Sequence, residues 1–221
     1  MTSPARMLVR RVLPGRRVVT RAPGRPAAIA LTFDDGPSPW TWDIAAALEA
    51  HGCRGTFFLL GAAVQQHPGI AAALAEAGHE LGNHLWSHAD PERQAPAELR
   101  AELDRTAAVV AAATGARPRL ARPPYCGAPA KLSHSARRGG AGLIVIRSVD
   151  PEDWRAESAE AIVERVLADV GAGDIVCLHD GIAPGNRGTP SRAATAEAVA
   201  RLVPALLERG LHPVTVSELL A

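Results

Sequence analysis

The sequence is poor in cysteine and in aromatic residues, and it has neither a long apolar run nor an excess of one charge. Cys53, Cys126 and Cys177 are too few and too far apart for a disulfide framework or a structural zinc knuckle. No stretch approaches the roughly 18 apolar residues of a membrane span, so no transmembrane helix is expected. The formal net charge of +1 provides no global attraction to nucleic acid or to anionic membrane. These absences leave a globular chain of 221 residues, enough for one large domain with its own core.

Residues 1–26 differ from the rest of the chain in their many arginines. Their longest apolar run, Met7–Val9, is much shorter than the roughly 7–15 apolar residues of a signal peptide. We therefore predict a basic, partly disordered extension at residues 1–26, followed by a single domain at residues 27–221. Because no export signal is visible, a cytoplasmic location is expected rather than an exported one.

From Ala27 onwards, short apolar segments alternate with segments of helical spacing. About seven strand–helix units indicate an α/β domain with a parallel sheet and helices outside, in a closed or nearly closed barrel smaller than the eightfold one. The predicted strands are Ala27–Phe33, Gly55–Leu60, His79–Asn83, Arg119–Arg122, Leu143–Val149, Asp174–Leu178 and Val214–Val216. The predicted helices are Trp40–Ala50, Ala62–Ala77, Pro96–Ala113, Ala128–Arg138, Ser158–Val170 and Thr195–Arg209.

Polar clusters follow five of these strands directly. The carboxyl ends of parallel barrel strands meet on one face, so residues far apart in sequence can share one pocket there. The loop at residues 181–192 is predicted to lie at the edge of this pocket. The clusters are Asp34–Asp35, His84–His88, Arg122–Tyr125, Asp150–Trp154 and His179–Asp180.

The first two clusters have the composition of a metal site. Asp34 and Asp35 repel each other unless a cation or an arginine lies between them, although an Asp-Gly turn is the alternative reading. His84 and His88 are four residues apart, which would place them on one side of a helical turn. With Asp35 they would form a His₂Asp site that leaves positions open for water and substrate. The other histidines are interpreted as ordinary surface or helix-end residues: His51, His67, His79, His134 and His212.

The remaining clusters carry groups suited to acid–base chemistry. Arg122, followed by two prolines, could hold a carboxylate, and the rigid turn after it could present a backbone N–H to an oxyanion. A proline-stiffened loop with a solvent-exposed arginine is the alternative. His179 at a strand end, oriented by a nearby carboxylate, is suited to be a general acid. The alternatives there are a buried core histidine and helix capping by Asp150 or Asp153.

Taken in order, the five clusters resemble the motifs of the polysaccharide deacetylase family, the NodB-homology domains of carbohydrate esterase family 4. The motif T-F-D-D-G is unaltered, the motif H-[ST]-x-x-H follows with leucine in its second position, and R-x-P-x and D-x-x-D-W come after it in the family's order. The last motif, L-x-L-H or close to it, is V-C-L-H here. The resemblance covers about residues 27–221, and its motifs are Thr32–Gly36, His84–His88, Arg122–Tyr125, Asp150–Trp154 and Val176–His179.

The resemblance implies a distorted (β/α)₇ barrel and a hydrolase that removes the acetyl group from N-acetylated amino sugars or glycans. It further implies a divalent metal, usually Zn²⁺, whose bound water attacks the acetyl carbon. The metal ligands would be Asp35, His84 and His88. The catalytic groups would be Asp34 as base, Arg122 as its partner, His179 as acid, Asp153 as the partner of His179, and the backbone N–H of Tyr125 at the oxyanion. Trp154 and Leu178 would line the acetyl pocket.

Two residues depart from the family's pattern. Leu85 replaces a serine or threonine whose hydroxyl helps to brace the second motif, and losing such a contact costs roughly 10–100-fold in metal affinity or rate. Cys126 stands where glycine is common, so the oxyanion loop is expected to differ slightly. Two other functions stay open: a related hydrolase of a non-sugar acetamide or cyclic amide, and a glycan-binding module with a decayed site.

Overall fold

The computed structural model describes residues 18–22, 26–139, 142–186 and 188–221. Its strands are β1 (Val18–Val19), β2 (Ala28–Asp34), β3 (Thr56–Leu59), β4 (Glu80–Asn83), β5 (Leu120–Ala121), β6 (Leu143–Val145), β7 (Ile175–His179) and β8 (His212–Pro213). Its helices are α1 (Pro39–Glu49), α2 (Gly61–Gln66), α3 (Pro68–Glu76), α4 (Pro96–Thr114), α5 (Pro129–Gly139), α6 (Ala159–Asp169), α7 (Ala193–Glu208) and α8 (Val216–Leu220). Short 3₁₀ turns lie at Pro124–Cys126 and Asp153–Arg155.

The strands pair in parallel in the order β1-β6-β5-β4-β3-β2-β7, and β8 pairs with the start of β2. A parallel bridge between Val149 and Val176 joins the chain beyond β6 to β7, so the sheet curls round towards closure. The predicted single-domain α/β barrel is confirmed.

Each strand of the barrel has two buried faces with different neighbours. On β2, Ile29, Leu31 and Phe33 pack against the outer helices, in one cluster with residues of α1 and α7. The alternate residues, which include Ala30, belong to a second cluster with residues of β3, β6 and β7 inside the barrel. Because side chains alternate along a strand, Thr32 and Asp34 also face this interior.

The sheet begins before the predicted domain boundary. Val18–Val19, within residues 1–26, form β1 and pair with Ile144 and Val145 of β6. The predicted disorder of residues 1–17 lies outside the described residues. The ordered domain therefore includes at least the end of the arginine-rich segment.

Three elements differ from the predictions. The helix predicted at Ala62–Ala77 is two helices, because Pro68 cannot continue α2 and instead starts α3. The strand predicted at Leu143–Val149 ends at Val145, although Val149 still bridges to β7. The strand predicted at Val214–Val216 was wrong: β8 is His212–Pro213, and the Thr215 side chain caps α8.

The carboxyl ends of β2, β4, β5 and β7 lie at one end of the barrel, and each is followed by a polar cluster. Among the described helices, none is both long and apolar enough to cross a bilayer.

Candidate metal centre and active site

Asp34 and Asp35 have different backbone conformations at the end of β2. Asp34 is the last strand residue, whereas Asp35 has a left-handed backbone with φ of 75°. The turn is held by Asp180, whose Oδ1 accepts the Gly36 N–H at 3.1 Å and whose Oδ2 accepts the Thr41 hydroxyl at 2.5 Å. A Cβ on Gly36 would lie 2.0 Å from Asp180, so this close approach requires glycine. The strained turn separates the two carboxylates and aims them differently.

His84 and His88 converge through an irregular loop and not along a helical turn, so the predicted helical geometry was wrong. Leu85 and His88 have positive φ values of 68° and 60°, which bring the two imidazoles round to one point. Their Nε2 atoms lie 3.5 and 3.4 Å from Asp35 Oδ1. Three ligand atoms from Asp35, His84 and His88 therefore all lie within 4.8 Å of one another.

These three residues fit a divalent metal. Asp35 Oδ1 is buried and has no hydrogen-bond partner among the described residues, which is costly unless a cation binds it. The His84 Nδ1–H donates to the Arg122 carbonyl at 2.8 Å, which leaves the Nε2 lone pair for a ligand bond. Burial lowers the pKa of His88 to about 4, although Asp35 opposes this shift, so the imidazole is neutral near pH 7. Neutral imidazole is the form that binds metals.

Helix α4 braces the histidine loop. The Glu102 carboxylate accepts the backbone N–H groups of Trp86 and Ser87, each at 2.9 Å, and the Ser87 hydroxyl at 3.1 Å. Asn83 also accepts the Leu85 N–H at 2.9 Å and donates to the Leu103 carbonyl at 2.9 Å. The Leu85 side chain itself is fully buried in an apolar cluster.

We expect Glu102→Ala to weaken metal binding by roughly 10–100-fold, because the loop that positions both histidines loses its anchor. Competition with a chelator of known affinity measures the change. Ser87→Ala is the matched control, since it removes only the hydroxyl contact and keeps both backbone contacts, so its loss should be smaller. Metal affinity in Glu102→Ala equal to that of the wild type would exclude this brace.

A buried ion pair joins Arg122 to Asp34. Arg122 is fully buried, and its NH1 atom lies 2.8 Å from Asp34 Oδ1 and 2.8 Å from the Thr32 hydroxyl. Burial alone would raise the pKa of Asp34, but Arg122, His84 and His179 together lower it to about 2. Asp34 is therefore ionised throughout the neutral range, and its Oδ2 is the oxygen that Arg122 leaves available.

His179 is paired with Asp153 and lies next to Asp34, its register partner on β2. Its Nδ1–H donates to Asp153 Oδ1 at 2.8 Å, and its backbone N–H donates to Asp153 Oδ2 at 2.9 Å. Burial lowers the pKa of His179, but the Asp153 charge and hydrogen bond outweigh it and raise the value to about 9. His179 is therefore protonated near pH 7, the state that a general acid needs.

A cavity of about 560 Å³ lies over these groups. The loop predicted to edge it does so through residues 183–186. Arg122 and Asp153 lie behind the walls, fully or almost fully buried. The predicted site residues that line the cavity are Asp34, Asp35, His84, His88, Tyr125, Trp154 and His179.

Leu178 does not line the cavity, in contrast to the prediction. It is fully buried among the residues that pack against the outer helices, whereas its neighbours Cys177 and His179 line the cavity. The reason is the alternation of side chains along β7, which places residues 175, 177 and 179 on the inner face. On β7, Cys177 therefore lines the cavity instead of Leu178.

The site belongs to a chain that is similar to known proteins. The family model described as "Polysaccharide deacetylase" matches residues 21–143, more than half of the chain. The chain belongs to the polysaccharide deacetylase family. It is similar to a chitooligosaccharide deacetylase of Bradyrhizobium sp. (strain ANU 289), with 39% identity over 84% of this chain and 88% of that protein.

Two further members of the family extend the comparison to peptidoglycan deacetylases. The peptidoglycan-N-acetylmuramic acid deacetylase PdaC of Bacillus subtilis (strain 168) is 34% identical over 86% of this chain, which corresponds to 38% of that longer protein. The solved structure of the Bc1960 peptidoglycan N-acetylglucosamine deacetylase superimposes with a TM-score of 0.84 at 30% identity, covering 93% of this chain and 94% of that one. The α/β barrel of this chain is thus the family's fold.

The cavity of this polysaccharide deacetylase domain is lined by several residues that were not predicted. Arg192 is 1% exposed, borders the cavity and donates from Nε to the Gly181 carbonyl at 2.8 Å, so it closes the 181–192 loop. Arg147 also lines the cavity, and its Nε lies 2.6 Å from Asp150 Oδ2. Strand alternation could have indicated Cys177, but no sequence signal marks Arg192. His79, predicted to be an ordinary surface or helix-end residue, is buried and accepts the Gly55 N–H through Nδ1.

Proposed function

We propose that the chain is a metal-dependent hydrolase that removes the acetyl group of an N-acetylated amino sugar or glycan. One observation carries the proposal: a base-type carboxylate, a protonated histidine and an Asp-His-His ligand set meet around one cavity. The carboxylate is Asp34, the histidine is His179, and Zn²⁺ is the proposed metal at Asp35, His84 and His88. The family's named members, which include chitooligosaccharide and peptidoglycan deacetylases, support a sugar acetamide as the substrate.

We propose that the residues around the cavity divide the reaction between a base and an acid. When bound, a divalent metal would supply Lewis-acid polarisation of the acetyl carbonyl and lower the pKa of a nearby water. Asp34 Oδ2 takes the proton of the attacking water, while Arg122 holds the other oxygen in place. Tyr125 has a left-handed backbone at the cavity wall, beside His88, and we propose that its N–H donates to the oxyanion. His179 then gives its Nε2 proton to the departing nitrogen, which leaves as a free amine together with acetate.

The pH dependence tests the role of His179. Activity of the wild type should fall as the pH rises through about 9, because His179 loses the proton that it must donate. In Asp153→Asn the charge that raises this pKa is gone, so the alkaline limb of kcat/KM should move down by about 1–3 pH units.

Thr195→Val is the matched control for that shift. It removes the 2.9 Å hydrogen bond from the Thr195 hydroxyl to Asp153 Oδ2 but keeps the Asp153 charge. Its alkaline limb should therefore stay near that of the wild type. An unchanged limb in Asp153→Asn would show that His179 is not the acid.

The substrate class is tested by acetate release from a panel, with and without a chelator. The panel contains N-acetylglucosamine, chitin oligomers, peptidoglycan fragments and a non-sugar acetamide. Release from one sugar class that is lost with the chelator and restored by Zn²⁺ is the expected result. Release from the non-sugar acetamide alone would show that the substrate is not a sugar. No release from any compound with metal bound would contradict acetamide hydrolysis.

A further inference from the structure

We propose that Asp34, Cys177 and His179 form a second metal site, separate from the Asp35–His84–His88 site. This second site would bind Zn²⁺, Co²⁺ or Cd²⁺, and an ion bound there would block the cavity. Metal binding at this second site does not depend on the proposed function. The inhibition that it causes rests on that function.

The ligand atoms are already close together. One atom each from Asp34, Cys177 and His179 lie within 4.8 Å of one another, and Cys177 Sγ is 3.4 Å from Asp34 Oδ2. Ligand atoms around a tetrahedral zinc, with Zn–S near 2.3 Å and Zn–N near 2.0 Å, are about 3.5 Å apart. The 3.4 Å between Cys177 Sγ and Asp34 Oδ2 already matches this spacing.

The parallel pairing of β2 with β7 explains this proximity. Asp34 is the register partner of His179, and Thr32 is the partner of Cys177. All three proposed ligands line the cavity, so an ion can reach them from solvent. Carboxylate, thiolate and imidazole are together a donor set that suits zinc and other soft or borderline transition metals.

His179 has the arrangement of a metal ligand. Its Nδ1–H is bound to the Asp153 carboxylate at 2.8 Å, so Nε2 is the nitrogen that remains for an ion. Metal-binding histidines generally donate their other ring N–H to a carboxylate or carbonyl in this way. The hydrogen bond that serves proton donation in catalysis therefore also prepares His179 to bind a metal.

The second site should be weaker than the first. Burial and the Asp34 carboxylate raise the pKa of the Cys177 thiol, and metal binding must release this proton and the Nε2 proton of His179 to solvent. A coordinated thiol loses its proton to the metal's charge, but the exchange lowers the apparent affinity. Arg122 also competes for Asp34, and Asp34 Oδ2 is only 3.9 Å from His84 Nε2, so two bound cations would repel each other.

Occupation would consume the groups that the proposed reaction needs. Asp34 could no longer accept a proton, His179 could no longer donate one, and the ion would fill the inner end of the cavity. Excess Zn²⁺ should therefore inhibit hydrolysis, in competition with substrate.

The test is a Co²⁺ titration of the full chain after removal of metal, followed by equilibrium dialysis and near-ultraviolet absorption. We expect two bound equivalents, with a thiolate-to-cobalt charge-transfer band that appears only with the second. Cys177→Ser should bind one equivalent and show no band. Cys126→Ser removes the other thiol that lines the cavity and should keep both the band and the second equivalent.

His88→Ala separates this proposal from the proposed function. It disrupts the first site and with it hydrolysis, but the band from Cys177 should remain. A single equivalent without a band in the wild type would overturn the proposal, as would a band that survives in Cys177→Ser. Excess Zn²⁺ should lower the activity of the wild type but not that of Cys177→Ser. Inhibition that persists in Cys177→Ser would overturn the inhibitory role of the second site.

Discussion

Asp34→Asn is expected to lower kcat by about 10²–10⁴-fold while the Asp35–His84–His88 site keeps its one metal equivalent. Asparagine has nearly the shape of aspartate, but it cannot accept a proton from the attacking water. The metal ligands Asp35, His84 and His88 are unchanged, so binding of the ion should persist. Single-turnover kinetics and metal analysis of the same preparation measure both quantities. Turnover at the rate of the wild type would show that Asp34 is not the base.

The substitution also removes the charge partner of a buried arginine, so stability must be measured alongside activity. Breaking a buried ion pair typically costs about 3–5 kcal/mol, and a lower Tm is expected for Asp34→Asn. Thr32→Val is the matched control: it removes the other 2.8 Å contact of Arg122 NH1 but keeps the carboxylate. If Thr32→Val loses stability and retains most of its kcat, the loss in Asp34→Asn belongs to the missing base.

Much of the barrel and the composition of the site could be predicted from the sequence because the chemistry lies at strand ends. Short apolar segments and the polar residues that follow them are local features, and parallel pairing then brings their carboxyl ends together. The ion pairs of Arg122 with Asp34 and of His179 with Asp153 are those that the resemblance to the family implied.

The details that could not be predicted depend on local backbone conformation and on which residues of a strand face the cavity. The His84–His88 loop reaches its shape through left-handed residues, which carry no glycine signal in this sequence. On β7, a shift of one residue exchanges Cys177 for Leu178 at the cavity, because neighbouring side chains point to opposite faces. The Glu102 brace joins segments that only tertiary packing brings together.

His84→Ala is expected to lose both bound metal and activity. Two of the three proposed ligands remain, so metal affinity should fall further than the roughly 10–100-fold typical of losing an outer contact. The Arg122 carbonyl also loses its 2.8 Å partner at Nδ1, which loosens the wall between the metal ligands and the buried arginine. Mass spectrometry of metal content after gel filtration, combined with acetate release, measures both effects.

His134→Ala is the control for His84→Ala, because it removes an exposed histidine on α5 that is not among the residues lining the cavity. Its metal content and activity should equal those of the wild type, so a loss confined to His84→Ala identifies a ligand and not a general effect of losing a histidine. Unchanged metal stoichiometry in His84→Ala would rule His84 out as a ligand. Retained metal with lost activity would instead assign His84 to the chemistry, because its Nε2 also lies 3.9 Å from Asp34 Oδ2.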